Sequence, residues 1–329
     1  MRNARILNAA MYVPEQLLPN SYFNSLLGED VGSWLEENLT IRERRWVSEG
    51  QSSADLAEQT ALRLLKGSGL TASDIDLLII ATDTPEYISP STASVVHHRI
   101  GMTRGGSFDV NTACAGFVTA LDMGSKYIQA DPAYRRVMVI GSYAMSRYLD
   151  MTDKKTVTLF ADGASGVILE ATEETDRGWQ GSLLHTEGQY HDWMGIYAGG
   201  TRTPLTPAFR EGANPYVQFV RKFPKEINPL TWERMLRELL QKIGRPVEDA
   251  AMIFFTQINI NSIRQTMEAL GLSMDRTHCV MDRYAYTGSA CIPMAFTEAM
   301  EQGRLKKGDL VLFMGSGGGL AFGCAAFTL

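Results

Sequence analysis

The chain repeats itself, and the repeat restricts its possible folds more than any local signal does. Residues 64–84 read LLKGSGLTASDIDLLIIATDT, and residues 239–259 read LLQKIGRPVEDAAMIFFTQIN. Each predicts the end of a helix, a polar turn with an acidic residue, and then an unbroken apolar run. Such a run suits a strand buried on both faces, as in a parallel sheet covered by helices. Later strands correspond too: RRVMVIGS (135–142) with GDLVLFMGS (308–316). The spacing agrees, since Gly141 follows Ala81 by 60 residues and Gly315 follows Thr256 by 59. Carrying the 33-residue step from Ala81 to Cys114 onto Thr256 lands on Ser289, where YTGSAC mirrors NTACAG. We therefore expect a duplicated α/β protein of 329 residues, with one half over 1–175 and the other over 176–329.

Two halves packed about a pseudo-twofold axis place the helix starting near Cys114 beside the one starting near Ser289. In open α/β sheets, ligand sites gather beyond the carboxyl ends of strands. The segments IIATDTPEY, FFTQIN and FMGSGGG lie at such ends. A connection over 186–235, rich in Gly, Pro and Thr, reads either as a cover over a pocket or as a solvated loop.

Cys114 enters this region in DVNTACAGF, at the start of a helix among small residues. There it meets unpaired backbone N–H groups and the positive end of the helix dipole, which lowers a thiol pKa. That position predicts a nucleophile, with a buried packing cysteine as the plain alternative. Cys279, Cys291 and Cys324 sit in apolar or small-residue text and read as buried free thiols. There is no C-x-x-C pair and no histidine at ligand spacing, so neither a disulfide framework nor a metal site is expected. The run GSGGGLAFG (315–323) lacks the Lys-Ser/Thr of a phosphate loop. Its glycines either bring backbone N–H groups against a substrate carbonyl or make a tight turn.

A net charge of -6 argues against a nucleic-acid partner. No apolar stretch approaches the roughly 20 residues that span a bilayer, and the N-terminal text is too interrupted for a secretory segment. A cytoplasmic protein without membrane attachment is the expectation.

DVNTACAGF, FADGASGVILE (160–170), AGGTR (198–202), DRYAYTGSACIPMAF (282–296) and GRLKKGDLVLFMGSGGGLAFG (303–323) together resemble β-ketoacyl-acyl-carrier-protein synthase III. The resemblance runs from the first strand to the C-terminus. It implies the thiolase-like, five-layered αβαβα fold, a dimer, and an acyl-thioester carried on Cys114. It also implies an oxyanion hole made by the backbone N–H groups of Cys114 and Gly319. Family members have a histidine in the segment written here FFTQININ, and we place Gln257 there. Their asparagine falls at Tyr286. In the family these two donate to a malonyl thioester carbonyl during decarboxylation. Glutamine and tyrosine keep donor atoms, but neither is a base near neutral pH.

By the same resemblance, Trp34 matches a tryptophan that stacks on the adenine of coenzyme A, and Asn38 replaces the arginine beside it. Lys154 keeps a second basic position, while an arginine of the carrier-docking surface falls at Ser262. Met145 and Phe160 match acyl-pocket positions, and Ser89 falls where a partner subunit closes that pocket. Asp83, near the acyl pocket, reads either as a base or as a turn cap. His191 reads as a surface histidine in the connection, and His97, His98, His185 and His278 have no supporting context.

The resemblance implies no cofactor or metal, only a coenzyme A or phosphopantetheine thioester as substrate. Partners are an acyl-CoA or acyl-carrier protein and a second copy of the chain, or a paralogue in a heterodimer. Three functions remain open. The first is an acyltransferase that loads Cys114 and passes the acyl group on without decarboxylation. The second is a decarboxylating β-ketoacyl synthase III of fatty acid or polyketide biosynthesis. The third is a weakened or non-catalytic subunit paired with an active paralogue.

Overall fold

The structure is a computed structural model that describes residues 2–207 and 211–329. The first half runs β1 (Asn3–Tyr12), β2 (Gln16–Pro19), α1 (Asn20–Leu27), α2 (Gly32–Leu39), β3 (Glu43–Trp46), α3 (Ser53–Ser68) and β4 (Leu77–Ala81). It continues through α4 (Thr92–Arg99), β5 (Gly106–Val110), α5 (Gly116–Ala130), β6 (Arg136–Ala144), α6 (Lys154–Val157) and β7 (Asp162–Thr172). Five of these strands form a sheet in the order β1-β7-β6-β4-β5. The second half contains β8 (Gly178–Thr186), β9 (Met194–Gly195), β10 (Gln218–Phe219), α7 (Ile227–Lys242), β11 (Ala250–Phe255) and α8 (Ile260–Leu270). It ends with α9 (Met281–Tyr284), α10 (Cys291–Glu301), β12 (Leu310–Gly317) and β13 (Ala321–Thr328). Its sheet has the order β11-β12-β13-β8.

The two sheets are wired alike. β4 pairs in parallel with β6, and β6 in antiparallel with β7, which pairs with β1. β11, β12, β13 and β8 repeat that pattern in the same senses. The counterpart of β5 shrinks to one parallel bridge between Ile253 and Thr277. The apolar runs behave as their composition predicts: all five residues of β4 are buried, as are Met252 to Phe255 in β11.

Helices α5 and α10 lie between the sheets, and each touches strands of both. α3 and α4 cover the outer face of the first sheet; α7 and α8 cover the second. That is the αβαβα order. α5 can occupy the centre because Phe117, Val118, Ala120, Leu121 and Ile128 leave it almost no polar face. Among the described residues no helix is long and apolar enough to cross a membrane.

The connection between the halves is shorter than 186–235. α7 begins at Ile227 because INPLTWERMLRELLQK presents Trp232, Met235, Leu236, Leu239 and Leu240 on one buried stripe. Within the remainder, β9 and β10 pair as a short antiparallel ribbon. The ribbon lies against the interior rather than in solvent: Phe219 stacks on buried Phe160 at 6.1 Å between ring centroids.

Candidate active site

Cys114 follows the end of β5 in a 3₁₀ turn, Ala113–Ala115, that leads into α5. The chain turns by placing Ala113 at φ +47°, with the Ala113 N–H donating to the Asn111 side chain at 3.0 Å. The second half repeats this turn: Gly288 has φ +48°, and Gly288–Ala290 leads into α10. The two turns pack against each other between the sheets, so Ser289 holds the position equivalent to Cys114. Ser289 is structural, because its hydroxyl donates to the Ser142 carbonyl at 3.0 Å.

Cys114 is closely packed on its backbone side. A Cβ added to Gly317 would fall 2.5 Å from the Thr112 carbonyl oxygen and 2.6 Å from the Cys114 nitrogen. Only glycine lets the end of β12 approach that turn. Gly319 lies two residues further on, in the turn between β12 and β13, with Ala321 N, 3.6 Å away, the nearest atom to a Cβ built on it. Gly317 is therefore the glycine that abuts Cys114.

The thiol is not the thiolate expected from its helix position. Burial pushes its pKa well above the ordinary thiol value, and the nearby Asp83 and Cys291 push it further. The nearby Tyr286 hydroxyl opposes this, but desolvation outweighs it. Burial likewise raises the Tyr286 phenol well above its usual range, so tyrosine donates and does not act as a base. Tyr286 is held by its own backbone, accepting from Ala161 N–H at 2.9 Å and donating to Leu159 O at 3.1 Å.

Gln257 is not available for substrate. Its amide nitrogen donates to the carbonyls of Phe255 (3.1 Å) and His278 (3.3 Å), and its oxygen accepts from Val280 N–H at 3.0 Å. This wholly buried side chain ties the end of β11 to the 278–280 segment. Thr256, the residue before it, is also wholly buried, and its hydroxyl donates to the Ser316 carbonyl at 3.3 Å. Its hydroxyl accepts from Ser316 N–H at 2.9 Å, next to Gly317. Ser262 is buried and cannot be a docking surface. Asn261 is exposed and donates to the Asn38 carbonyl at 3.1 Å, and Arg264 sits on it at 3.3 Å.

Asp83 does not cap the turn after β4. Thr82 does, its hydroxyl accepting from Thr84 N–H at 3.0 Å. Burial raises the Asp83 carboxyl to about 6, and Oδ1 lies out of solvent with no partner among the described residues. Tyr143, at the end of β6, is a site residue that the sequence reading missed. It is wholly buried beside Tyr286, with ring centroids 6.5 Å apart, and its hydroxyl also has no partner among the described residues. Met145 and Phe160 are buried in the same core, Phe160 at 5.6 Å from Tyr286 and 6.3 Å from Tyr143.

The substrate-side residues lie apart from this cluster. Trp34 is 58 % exposed on α2, and Lys154 at the start of α6 pairs with Glu29 at 3.1 Å, which joins α6 to the α1–α2 loop. Ser89 is exposed in a loop beside Tyr87 and Ile88, the latter 81 % exposed. No histidine reaches Cys114. His278 is held between Glu298 and Arg304, His185 stacks on Phe322, His191 is exposed, and His97 and His98 end α4. Cys291 and Cys324 are buried, whereas Cys279 is part-buried; all are free thiols.

The family description "3-Oxoacyl-[acyl-carrier-protein (ACP)] synthase III" matches residues 108–188, and that of its C-terminal part matches 240–329. The chain is 35% identical over 326 residues to "Beta-ketoacyl-[acyl-carrier-protein] synthase III" of Alkalilimnicola ehrlichii, covering 99% of each chain. Among solved structures, the 3-oxoacyl-[acyl-carrier-protein] synthase III of Aquifex aeolicus superposes with a TM-score of 0.89 at 27% identity, covering 99% of this chain and 100% of that one. The synthase III of Thermus thermophilus gives 0.89 at 28% identity, covering 99% of each.

Proposed function

Because the chain belongs to the 3-oxoacyl-acyl-carrier-protein synthase III family, we propose that it takes an acyl group from a coenzyme A or carrier-protein thioester onto Cys114 and passes it to a nucleophilic acceptor. The observation that carries this reading is the buried Cys114 at the start of α5, abutted by Gly317, with the Tyr286 hydroxyl and the Asp83 carboxylate nearby. In the reaction, backbone N–H groups at the α5 turn and the 317–319 turn receive the developing oxyanion. The first N–H groups of a helix have no intrahelical acceptors. Trp34 and Lys154 suit the carrier or coenzyme arm outside, and Phe160 and Met145 the acyl chain inside. Docking takes place with Asn261 and Arg264 on the same exposed turn of α8.

The finer choice is whether decarboxylation occurs. Enolate formation needs two donors on one oxygen, and removing one such donor costs about 100- to 1,000-fold. Here Tyr286 keeps a donor near Cys114, the side chains of Gln257 and Thr256 are both committed to backbone groups, and no imidazole is present. These residues support transfer without decarboxylation. The second reading, a decarboxylating synthase, is supported by the names of the full-length relatives and by the donor that Tyr286 retains.

Intact-mass measurement with a panel of acyl-CoAs, together with carbon dioxide release from a malonyl thioester, separates the readings. Acylation that Cys114→Ala abolishes, without carbon dioxide, supports transfer. Robust carbon dioxide release supports the synthase. Absence of acylation across chain lengths points to a silent subunit of a heterodimer.

A further inference from the structure

Two polar atoms at this site have no hydrogen-bond partner among the described residues: Asp83 Oδ1 and the Tyr143 hydroxyl. Folded proteins leave few such groups, and each calls for a partner that is missing. These two lie in adjoining segments: β4 pairs in parallel with β6, Ala81 opposite Gly141, and the Ala144 N–H next to Tyr143 donates to the hydroxyl of Thr84 next to Asp83 at 2.9 Å. Tyr143 is also fixed in place. A Cβ on Gly288 would come 2.2 Å from its ring, so the ring lies directly on the backbone of the second-half turn.

We infer that Asp83 and Tyr143 form the acceptor site for acyl-Cys114, where Tyr143 binds an alcohol and Asp83 deprotonates it as it attacks the thioester. This rests on the transfer reading above and names its acceptor class. As the acceptor oxygen bonds to the thioester carbon, its proton passes to Asp83 Oδ1. The carbonyl re-forms, the carbon–sulfur bond breaks, and the sulfur leaves with the bonding pair. It then takes the proton from Asp83, so an ester is released and both residues return to their starting states. The same carboxylate opposes the negative charge of a malonyl group, which is why the acceptor is an uncharged nucleophile.

The surroundings of Asp83 keep it tunable. Cys114 faces it from the turn before α5, Tyr143 from β6 and Tyr148 from the turn after β6; Cys291 of α10 acts on Cys114 and Tyr143. On β5, Asp109 is spent on the amides of Thr92 and Ala93, both at 2.7 Å, and Glu86 in the same loop accepts from Ala54 N–H. None of these groups is a cation.

The test is the decay of acyl-Cys114 freed of excess acyl-CoA, followed by intact mass with 1,3-propanediol as the probe acceptor, whose hydroxyls do not titrate. The wild-type rate should fall as pH drops through about 6, where burial places the Asp83 carboxyl. Asp83→Asn should slow decay by about 100-fold or more, the usual weight of a general base, and remove the acid limb. Tyr143→Phe should raise the diol concentration needed for half-saturation while keeping that limb. Rates are normalised to the acyl-enzyme present, so differences in loading do not enter. A wild-type rate independent of pH, or Asp83→Asn decay matching wild type, overturns the inference. Failure of the wild type to form acyl-Cys114 overturns the transfer reading on which it rests.

Discussion

Replacing Tyr286 with phenylalanine removes the nearby hydroxyl whose hydrogen bonding favours the Cys114 thiolate. The substitution keeps the ring and its contacts with Phe160 at 5.6 Å and Tyr143 at 6.5 Å, and removes only the hydroxyl. A hydrogen bond to a charged group contributes roughly 1.5–3 kcal/mol, which corresponds to about 1 to 2 pH units in the thiol pKa. Burial already holds Cys114 well above the ordinary value, and losing the donor moves it further up. At any pH below that pKa the thiolate fraction therefore falls about 10- to 100-fold. Iodoacetamide alkylation of Cys114 across pH, read by intact mass, reports this directly. Acylation by an acyl-CoA should slow by a similar factor. Thermal stability should change little, since the packing is kept and the phenylalanine ring leaves no large cavity. An unchanged alkylation profile would refute the hydrogen bond as the group that tunes this thiol.

The other expected outcomes concern residues whose roles were corrected. Gln257→Leu strands the buried Val280 N–H and the Phe255 and His278 carbonyls, so chemical denaturation should show a loss of roughly 3–5 kcal/mol, at about 1–3 kcal/mol for each unpaired group; a loss under about 1 kcal/mol would return Gln257 to the list of substrate-facing residues. Gly288→Ala combines a left-handed φ of +48° with a Cβ 2.2 Å from the Tyr143 ring, and should lower stability by about 1–3 kcal/mol or more. A melting temperature within a degree of wild type would show that Tyr143 is not held there.

Much of this protein is legible in its sequence because the determining signals are local or periodic. The apolar runs over 77–81 and 250–255 announce doubly buried strands, and their repetition announces two matching sheets. Cys114 at a predicted helix start, with small residues around it, marks the candidate nucleophile of the proposed transfer before any coordinates are seen. What tertiary structure alone decided is how the side chains after β11 are spent. Thr256 is tied to Ser316 and Gln257 to the 278–280 segment, and both ties exist only once β11 packs against β12 and that segment. The ionisation of Cys114 was likewise beyond sequence reasoning. A helix terminus lowers a thiol pKa, but burial between two sheets, with Asp83 and Cys291 nearby, raises it further than the terminus can offset. Asp83 and Tyr143 stand 60 residues apart in the chain, on strands that the sheet order places side by side. They come together only once β4 pairs with β6, because the parallel register brings the carboxyl ends of both strands to the same edge.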